Sequence, residues 1–259
     1  MSQNLNPQQQ AALKYIDGPL LVLAGAGSGK TSVITRKIAY LVEQCGIPAR
    51  NIAAVTFTNK AAREMKARVS SLLAKEDSRG LTVSTFHNLG LTIIRTEIKA
   101  LGFRPGFSIL DQEDCRKLLK ELLVRHTELD EKLIDTAQNT ISGWKNSLLE
   151  PGQAVGASDS TGEQAIAMLY ERYQRALKAY NAVDFDDLIM TPVMLFRNHP
   201  EILDKWKKRI RYLLVDEYQD TNLAQYELVR TLVNENQALT VVGDDDQSIY
   251  AWRGARPEN

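Results

Sequence analysis

Residues 20–31 read Leu-Leu-Val-Leu-Ala-Gly-Ala-Gly-Ser-Gly-Lys-Thr, and this stretch decides the fold. Four consecutive branched apolar residues, Leu20–Leu23, suit a strand buried on both faces better than one alternating between core and water. The glycines that follow let the backbone turn tightly, so that successive N–H groups can point inward at phosphate oxygens. Beyond Lys30, residues Val33, Ile34, Ile38, Leu41 and Val42 fall on one helical stripe, with Arg36, Lys37 and Glu43 off it. A helix therefore starts where the loop ends and brings its positive dipole end to the same anion. Ala24, Gly25, Ala26, Gly27, Ser28 and Gly29 form the cradle in this reading. Lys30 reaches the β- and γ-phosphates, and the Thr31 hydroxyl ligates Mg²⁺. The pattern commonly opens with Gly, where this chain has Ala24. At average composition such a match arises by chance on the order of 0.02 times in a chain of this length.

Outward from the loop, short apolar runs recur at Ile52–Phe57, Leu81–Ser84, Tyr212–Val215 and Leu239–Val242. Residues 59–74 place Ala62, Met65, Val69 and Leu72 at helical spacing. Strands alternating with helices predict an α/β doubly wound core around a parallel sheet. Residues 88–184 read differently. Cys115–Val124, Leu133–Trp144 and Ala165–Tyr180 are helical patterns, no buried strand stands out, and Pro151–Glu163 reads as a loop from its Gly, Ser and Pro content. This stretch is expected to be a helical insertion between the third and fourth strands.

The 259 residues are 44% hydrophobic and 25% charged with no net charge, an ordinary globular composition. No apolar run reaches the ~18 residues of a membrane span, the polar start MSQNLNPQQQ is not a signal peptide, and Cys45 and Cys115 make neither a disulfide framework nor a metal-ligand set. A soluble cytoplasmic protein with no membrane partner is expected. The neutral total hides an asymmetry, since residues 1–110 carry 14 Lys/Arg against 6 Asp/Glu. That keeps a polyanion partner open. The basic run Lys205–Arg211 has the look of a DNA patch but is read in preference as the solvated face of a helix entering the fourth strand. Nothing after Ala255 closes the architecture, so the chain is expected to be the front part of a longer protein.

A phosphate loop needs a metal site opposite it. Tyr212–Val215 runs directly into Asp216-Glu217. A carboxylate at a strand end can hold Mg²⁺, and its neighbour can orient and deprotonate the attacking water. Asp216 is read as the metal residue and Glu217 as the general base.

Taken in order, these segments resemble the superfamily-1 DNA helicases of the UvrD/Rep/PcrA type. Leu5-Asn-Pro-Gln-Gln9 is similar to the family's adenine-reading segment and Ala24–Thr31 to its phosphate loop. Thr56-Phe-Thr-Asn-Lys-Ala-Ala62 and Thr85-Phe-His87 resemble its first strand-contacting segments. Val215–Thr221 (VDEYQDT) resembles its metal and base motif, and Gly243–Ala255 (GDDDQSIYAWRGA) its coupling motif. Asp184-Phe-Asp-Asp-Leu188 is a further family-like segment, where the insertion rejoins the core. The resemblance spans nearly the whole chain. It implies a RecA-like P-loop NTPase domain, residues 1–87 and 185–259, interrupted by a helical insertion subdomain at 88–184.

It also implies roles. Gln9 would read adenine, Gln247 would sense the γ-phosphate, and Phe57, Tyr250 and Trp252 would stack on unpaired bases. Arg253 would contact phosphate or link the strand track to the nucleotide, with Asn59 and His87 on the same track. Ser32 stands where members commonly have an Arg that packs on adenine. The implied activity is that of the ATP-binding, Mg²⁺-dependent front half of a 3′→5′ helicase on single-stranded DNA, with replication or repair proteins as partners. The second motor domain of such proteins has no counterpart here, so the fragment is expected to hydrolyse ATP slowly and not to unwind duplex. The front half of a helicase–nuclease subunit and an ATP-gated switch that does not translocate share these features and stay open.

Overall fold

The computed structural model describes residues 5–25, 29–123, 131–158, 160–233 and 238–244. In chain order the first elements are α1 (Pro7–Lys14), β1 (Leu20–Leu23), α2 (Lys30–Glu43), β2 (Ile52–Thr56), α3 (Asn59–Leu72), β3 (Thr82–Thr85), α4 (Phe86–Thr96) and α5 (Ile98–Leu101). Then come β4 (Ser108–Leu110), α6 (Gln112–Leu123), α7 (Glu131–Asn146), α8 (Pro151–Ala157), α9 (Thr161–Ala179) and β5 (Ala182–Asp184). The chain continues through α10 (Asp187–Asn198), α11 (Pro200–Arg209), β6 (Tyr212–Val215), α12 (Leu223–Leu232) and β7 (Leu239–Gly243).

Five strands form one parallel sheet in the order β1-β7-β6-β2-β3. Side chains alternate along each strand, and both faces are covered. Ala53, Val55, Leu213, Val215 and Val241 face a core built with Phe86, Leu89, Ile93, Val193, Phe196, Trp206 and Leu228. Ile52, Ala54, Tyr212, Leu214 and Val242 face the other side, against Ile34, Ile38, Leu41, Met65 and Val69. This is the doubly wound α/β class expected from the apolar runs. The short side chains of Ala53 and Ala54 let helices approach β2 from both faces.

The runs were less uniform than expected at the sheet edge. β1 pairs only with β7, and its Leu21 and Leu23 remain 56% and 62% exposed. An edge strand covered on one face shows the same run of branched residues as a central one. Two other local expectations also fail. Ser108–Leu110 and Ala182–Asp184 pair as a small parallel sheet, too short at three residues each to stand out in a hydropathy pattern. Pro151–Ala157 is helical rather than loop. Pro sits in its first turn, Glu150 and Gln153 form a reciprocal capping box, and Ala154 is fully buried.

Residues of α6, α7, α8 and α9 build a separate apolar cluster that includes Leu119, Ile134, Ala137, Ile141, Ala167 and Tyr170. By contrast α4 belongs to the sheet side, where it packs against α10. That approach is close: a Cβ on Gly90 would fall 1.7 Å from the Leu188 carbonyl oxygen. α11 buries Trp206, whose Nε1–H donates to Glu97 at 2.8 Å, and Arg209 lies 4.7 Å over the indole. The remaining basic residues of the run 205–211 are mostly exposed.

Gly90→Ala should therefore force α4 and α10 apart and destabilise the fold by about 2–4 kcal/mol, in the range of overpacked core substitutions. Urea denaturation would read this as a lower midpoint at similar slope. An unchanged midpoint would contradict the close approach.

Candidate nucleotide and metal site

In a parallel sheet every strand ends on the same edge, and ligands collect there. The carboxyl ends of β1, β7, β6, β2 and β3 lead into Ala24, Asp244, Asp216, Phe57 and Phe86 respectively. Strand direction alone thus carries the candidate groups to one edge.

Lys30 is the first residue of α2. The preceding Gly29 has φ of 82°, a left-handed conformation suited to glycine, and no side chain caps the helix. The first-turn N–H groups are accordingly not occupied by a capping side chain. The Lys30 ammonium lies 3.7 Å from Glu217 Oε2 and 3.8 Å from Asp244 Oδ2. Those separations are too long for hydrogen bonds, and among the described residues the buried Lys30 Nζ has no hydrogen-bond acceptor. A buried ammonium in that state needs anionic oxygens to complete its shell.

Glu217 adopts a left-handed backbone, φ 53°, directly after the strand. Its N–H donates to Asp216 Oδ1 at 3.0 Å. Side chains of a non-glycine residue resist this region, and such strain is typical of functional sites. Gln219 holds the carboxylate: its Nε2–H donates to Glu217 Oε2 at 2.7 Å, while its Oε1 accepts from the Asp244 N–H at 3.0 Å. One amide thus ties the segment after β6 to the end of β7. Gly243 makes room for it, since a Cβ there would lie 2.7 Å from Gln219 Oε1.

Asp216 is buried, and its pKa is pushed up to about 6, first by burial and then by the Glu217 charge. Lys30 offsets only part of this. A cation at Asp216 would relieve the desolvated carboxylate. Among the described residues no group of three or more His, Cys, Asp or Glu side chains is arranged to hold a metal on its own. Mg²⁺ does not require one, because it is usually bound by one or two carboxylates with water and substrate phosphates completing the shell. The buried ammonium, the uncapped helix start and the strained carboxylate pair suit a nucleoside triphosphate with its metal.

Gln9 lies beside the loop, with its Nε2 3.3 Å from the Cβ position of Gly29, while its Oε1 accepts from the Asn6 N–H in a capping box of α1. The fully buried Lys37 anchors this helix, donating to the Ala12 and Tyr15 carbonyls at its carboxyl end. Burial lowers the Lys37 pKa to about 8.

Farther along the edge, Phe57 is half-buried and tilts against Phe86 at 5.3 Å, tied to the core as much as to the surface. The exposed Asn59 accepts from Asn88 Nδ2–H at 3.1 Å. His87 meets Phe185 edge-on at 6.1 Å. Ala26, Gly27, Ser28, Gln247, Tyr250, Trp252 and Arg253 lie outside the described residues.

Sequence reasoning overlooked three groups at this edge. Asp244, Gln219 and the half-exposed Phe185 each fall inside a quoted motif, but none was given a role of its own. An aromatic residue among Asp184, Asp186 and Asp187 was the available signal for Phe185. Gln219 lies in the Val215–Thr221 motif, but its bridging role depends on the β6–β7 pairing.

A parallel sheet whose carboxyl edge gathers a buried lysine, an acidic strand end and a bridging glutamine suits a nucleotide-dependent motor domain. The chain belongs to the UvrD/REP helicase N-terminal domain family, whose model matches residues 5–259. It is 55% identical over 255 residues to the ATP-dependent DNA helicase Rep of Salmonella typhimurium and equally to that of Escherichia coli, each match covering 98% of this chain. The ATP-dependent DNA helicase PcrA of Bacillus subtilis is 47% identical over 253 residues, 97% of the chain. The chain spans 38% of the length of the two Rep proteins and 34% of that PcrA.

The raised pKa of Asp216 has a sign. The folded chain holds this proton more tightly than the unfolded one, so stability falls as pH rises from about 4 to 6, and the cost persists above 6. Asp216→Asn should remove that dependence and raise ligand-free stability at pH 7.5 by about 1–2 kcal/mol, less than the whole shift because an amide is buried in exchange. Thermal melts from pH 4 to 8 would show it. A variant less stable than wild type at pH 7.5 would count against a strained carboxylate.

Proposed function

We propose that this chain is the ATP-binding motor part of an ATP-dependent 3′→5′ DNA helicase that moves on single-stranded DNA. The reading assigns residues 1–87 and 185–259 to a RecA-like ATPase domain and 88–184 to a helical insertion, with α4 at its start packed on the sheet core. The observation that carries it is the buried Lys30 ammonium between Glu217 and Asp244, without a hydrogen bond among the described residues. The names of the relatives, ATP-dependent DNA helicases, agree with it.

Each residue then has a task. The Ala24–Thr31 loop and the start of α2 cradle phosphates, and Lys30 neutralises the β- and γ-oxygens as charge develops on them. Thr31 and Asp216 would hold Mg²⁺, which when bound neutralises phosphate charge. Glu217, held by Gln219, orients the attacking water and takes its proton. Gln9 reads the base beside the loop. Gln247 would sense the γ-phosphate and link it to strand movement. Phe57, Tyr250 and Trp252 offer stacking faces, with Asn59, His87 and Arg253 beside them. Phe185 joins this group through its contact with His87.

No helix of the described residues is long and apolar enough to cross a membrane, in keeping with a cytoplasmic, DNA-associated protein of replication or repair. A second motor domain would supply arginines to the γ-phosphate. An arginine of that kind is worth roughly 10³–10⁵ in rate, so the 259 residues alone should bind ATP, turn it over slowly and leave duplex intact.

In the full-length protein, Lys30→Ala should lower single-strand-stimulated ATPase activity by at least about 100-fold while circular dichroism stays unchanged. Wild-type turnover in that variant would refute the loop assignment. Wild-type hydrolysis indifferent to single-stranded DNA would favour a nucleotide-gated switch instead.

A further inference from the structure

The segment that carries Glu217 also leads away from the nucleotide edge, to a contact with α7 of the helical insertion. It runs through a 3₁₀ turn, Tyr218–Asp220, closed by the Thr221 hydroxyl donating to the Tyr218 carbonyl at 2.8 Å, and ends at Asn222, the N-cap of α12. Asn222 Oδ1 accepts from the Gln225 N–H at 2.9 Å. Its Nδ2–H donates to Asn146 Oδ1 at 2.7 Å, although the two residues stand 76 positions apart.

Asn146 is the last residue of α7. Its own Nδ2–H donates to the Ser142 carbonyl at 2.9 Å and to Asp186 Oδ1 at 3.0 Å. Both amide orientations follow from chemistry. Asn146 must turn its nitrogen toward a carbonyl and a carboxylate, and Asn222 must turn its oxygen toward a backbone donor. The bond between them is what remains.

Next to this contact α7 is locked in place. Lys145, fully buried, lies 2.7 Å from Asp184 Oδ2 and 2.8 Å from Asp187 Oδ1. Tyr173 of α9 also donates to Asp184, at 3.0 Å. Ile134, Ala137 and Ile141 of α7 sit in the apolar cluster of the insertion. A shift at the end of α7 is therefore shared with the body packed on it.

We infer that the Asn146–Asn222 amide pair is a coupling joint, by which a change in the Glu217–Asn222 segment when nucleotide binds is passed to the helical insertion. Both are positioning residues, since neither touches the reacting atoms. The inference rests on the nucleotide reading above. It also accounts for asparagine at the cap: an aspartate would cap α12 as well but has no N–H to offer α7.

Hydrogen–deuterium exchange of the 259-residue chain, with and without a non-hydrolysable ATP analogue and Mg²⁺, tests it. In the wild type, nucleotide should change exchange both at 217–222 and in the last turns of α7. Asn222→Asp keeps the cap and removes the donor, and Asn146→Ala removes the partner. Each should bind the analogue with little change in Kd and retain the change at 217–222, yet lose about five-fold of the nucleotide-dependent change in α7. A purely structural role would speed α7 exchange equally in both states and overturn the joint. So would a wild-type α7 indifferent to bound nucleotide, or a full α7 response in both variants. No binding of the analogue to wild type would overturn the nucleotide reading and the joint with it.

Discussion

A buried positive charge held near two carboxylates organises this molecule. Lys30 is too far from Glu217 and Asp244 for hydrogen bonds, so the three groups attract one another without satisfying one another. Burying charge in that condition is costly, and a fold keeps it only where the arrangement has a use. Much of the surrounding structure serves to maintain it. Gly29 delivers the lysine at the start of α2, β6 delivers Glu217 through a strained turn, and β7 delivers Asp244. Gln219 keeps the last two in register.

The same economy explains how the apolar cores are divided. Small residues at the centre of β2 and a glycine at the α4–α10 crossing draw helices close to the sheet, which fixes the strand ends that carry the polar groups. The cluster formed by α6–α9 contributes nothing to that sheet. Its link to it passes through polar contacts at residues 146, 184–187 and 222 and through a smaller apolar cluster around Ile94, Val183 and Leu188. Polar contacts of this kind can change partner more readily than close-packed methyl groups.

Much of the architecture was legible in the sequence because apolar runs and glycine loops act locally. Leu20–Thr31 announces a strand, a turn and a helix with no help from the rest of the chain, and Tyr212–Glu217 announces a strand ending in acid. What could not be read was anything set by pairing. The exposure of Leu21 and Leu23 depends on β1 being an edge. The helix at Pro151–Ala157 depends on a capping box and one buried alanine within a stretch of loop-like composition. Gln219 looks like filler until β6 and β7 lie side by side, and a three-residue strand such as β4 gives too few side chains to show a period.

The position of β7 has a consequence for how the protein comes into being. β1 and β6 are not neighbours: β7 lies between them, and with strands about 4.8 Å apart this leaves a gap of roughly 10 Å between the ends that supply Lys30 and Glu217. Leu20–Leu23 pairs with residues 240–243, some 220 positions later. Closing so long a loop is slow, and the chain emerges from the ribosome N-terminus first. During synthesis β1 must wait, without β7 beside it, until residues 239–243 have been made. The two halves of the pocket therefore cannot come together around a stray nucleotide before β7 has emerged.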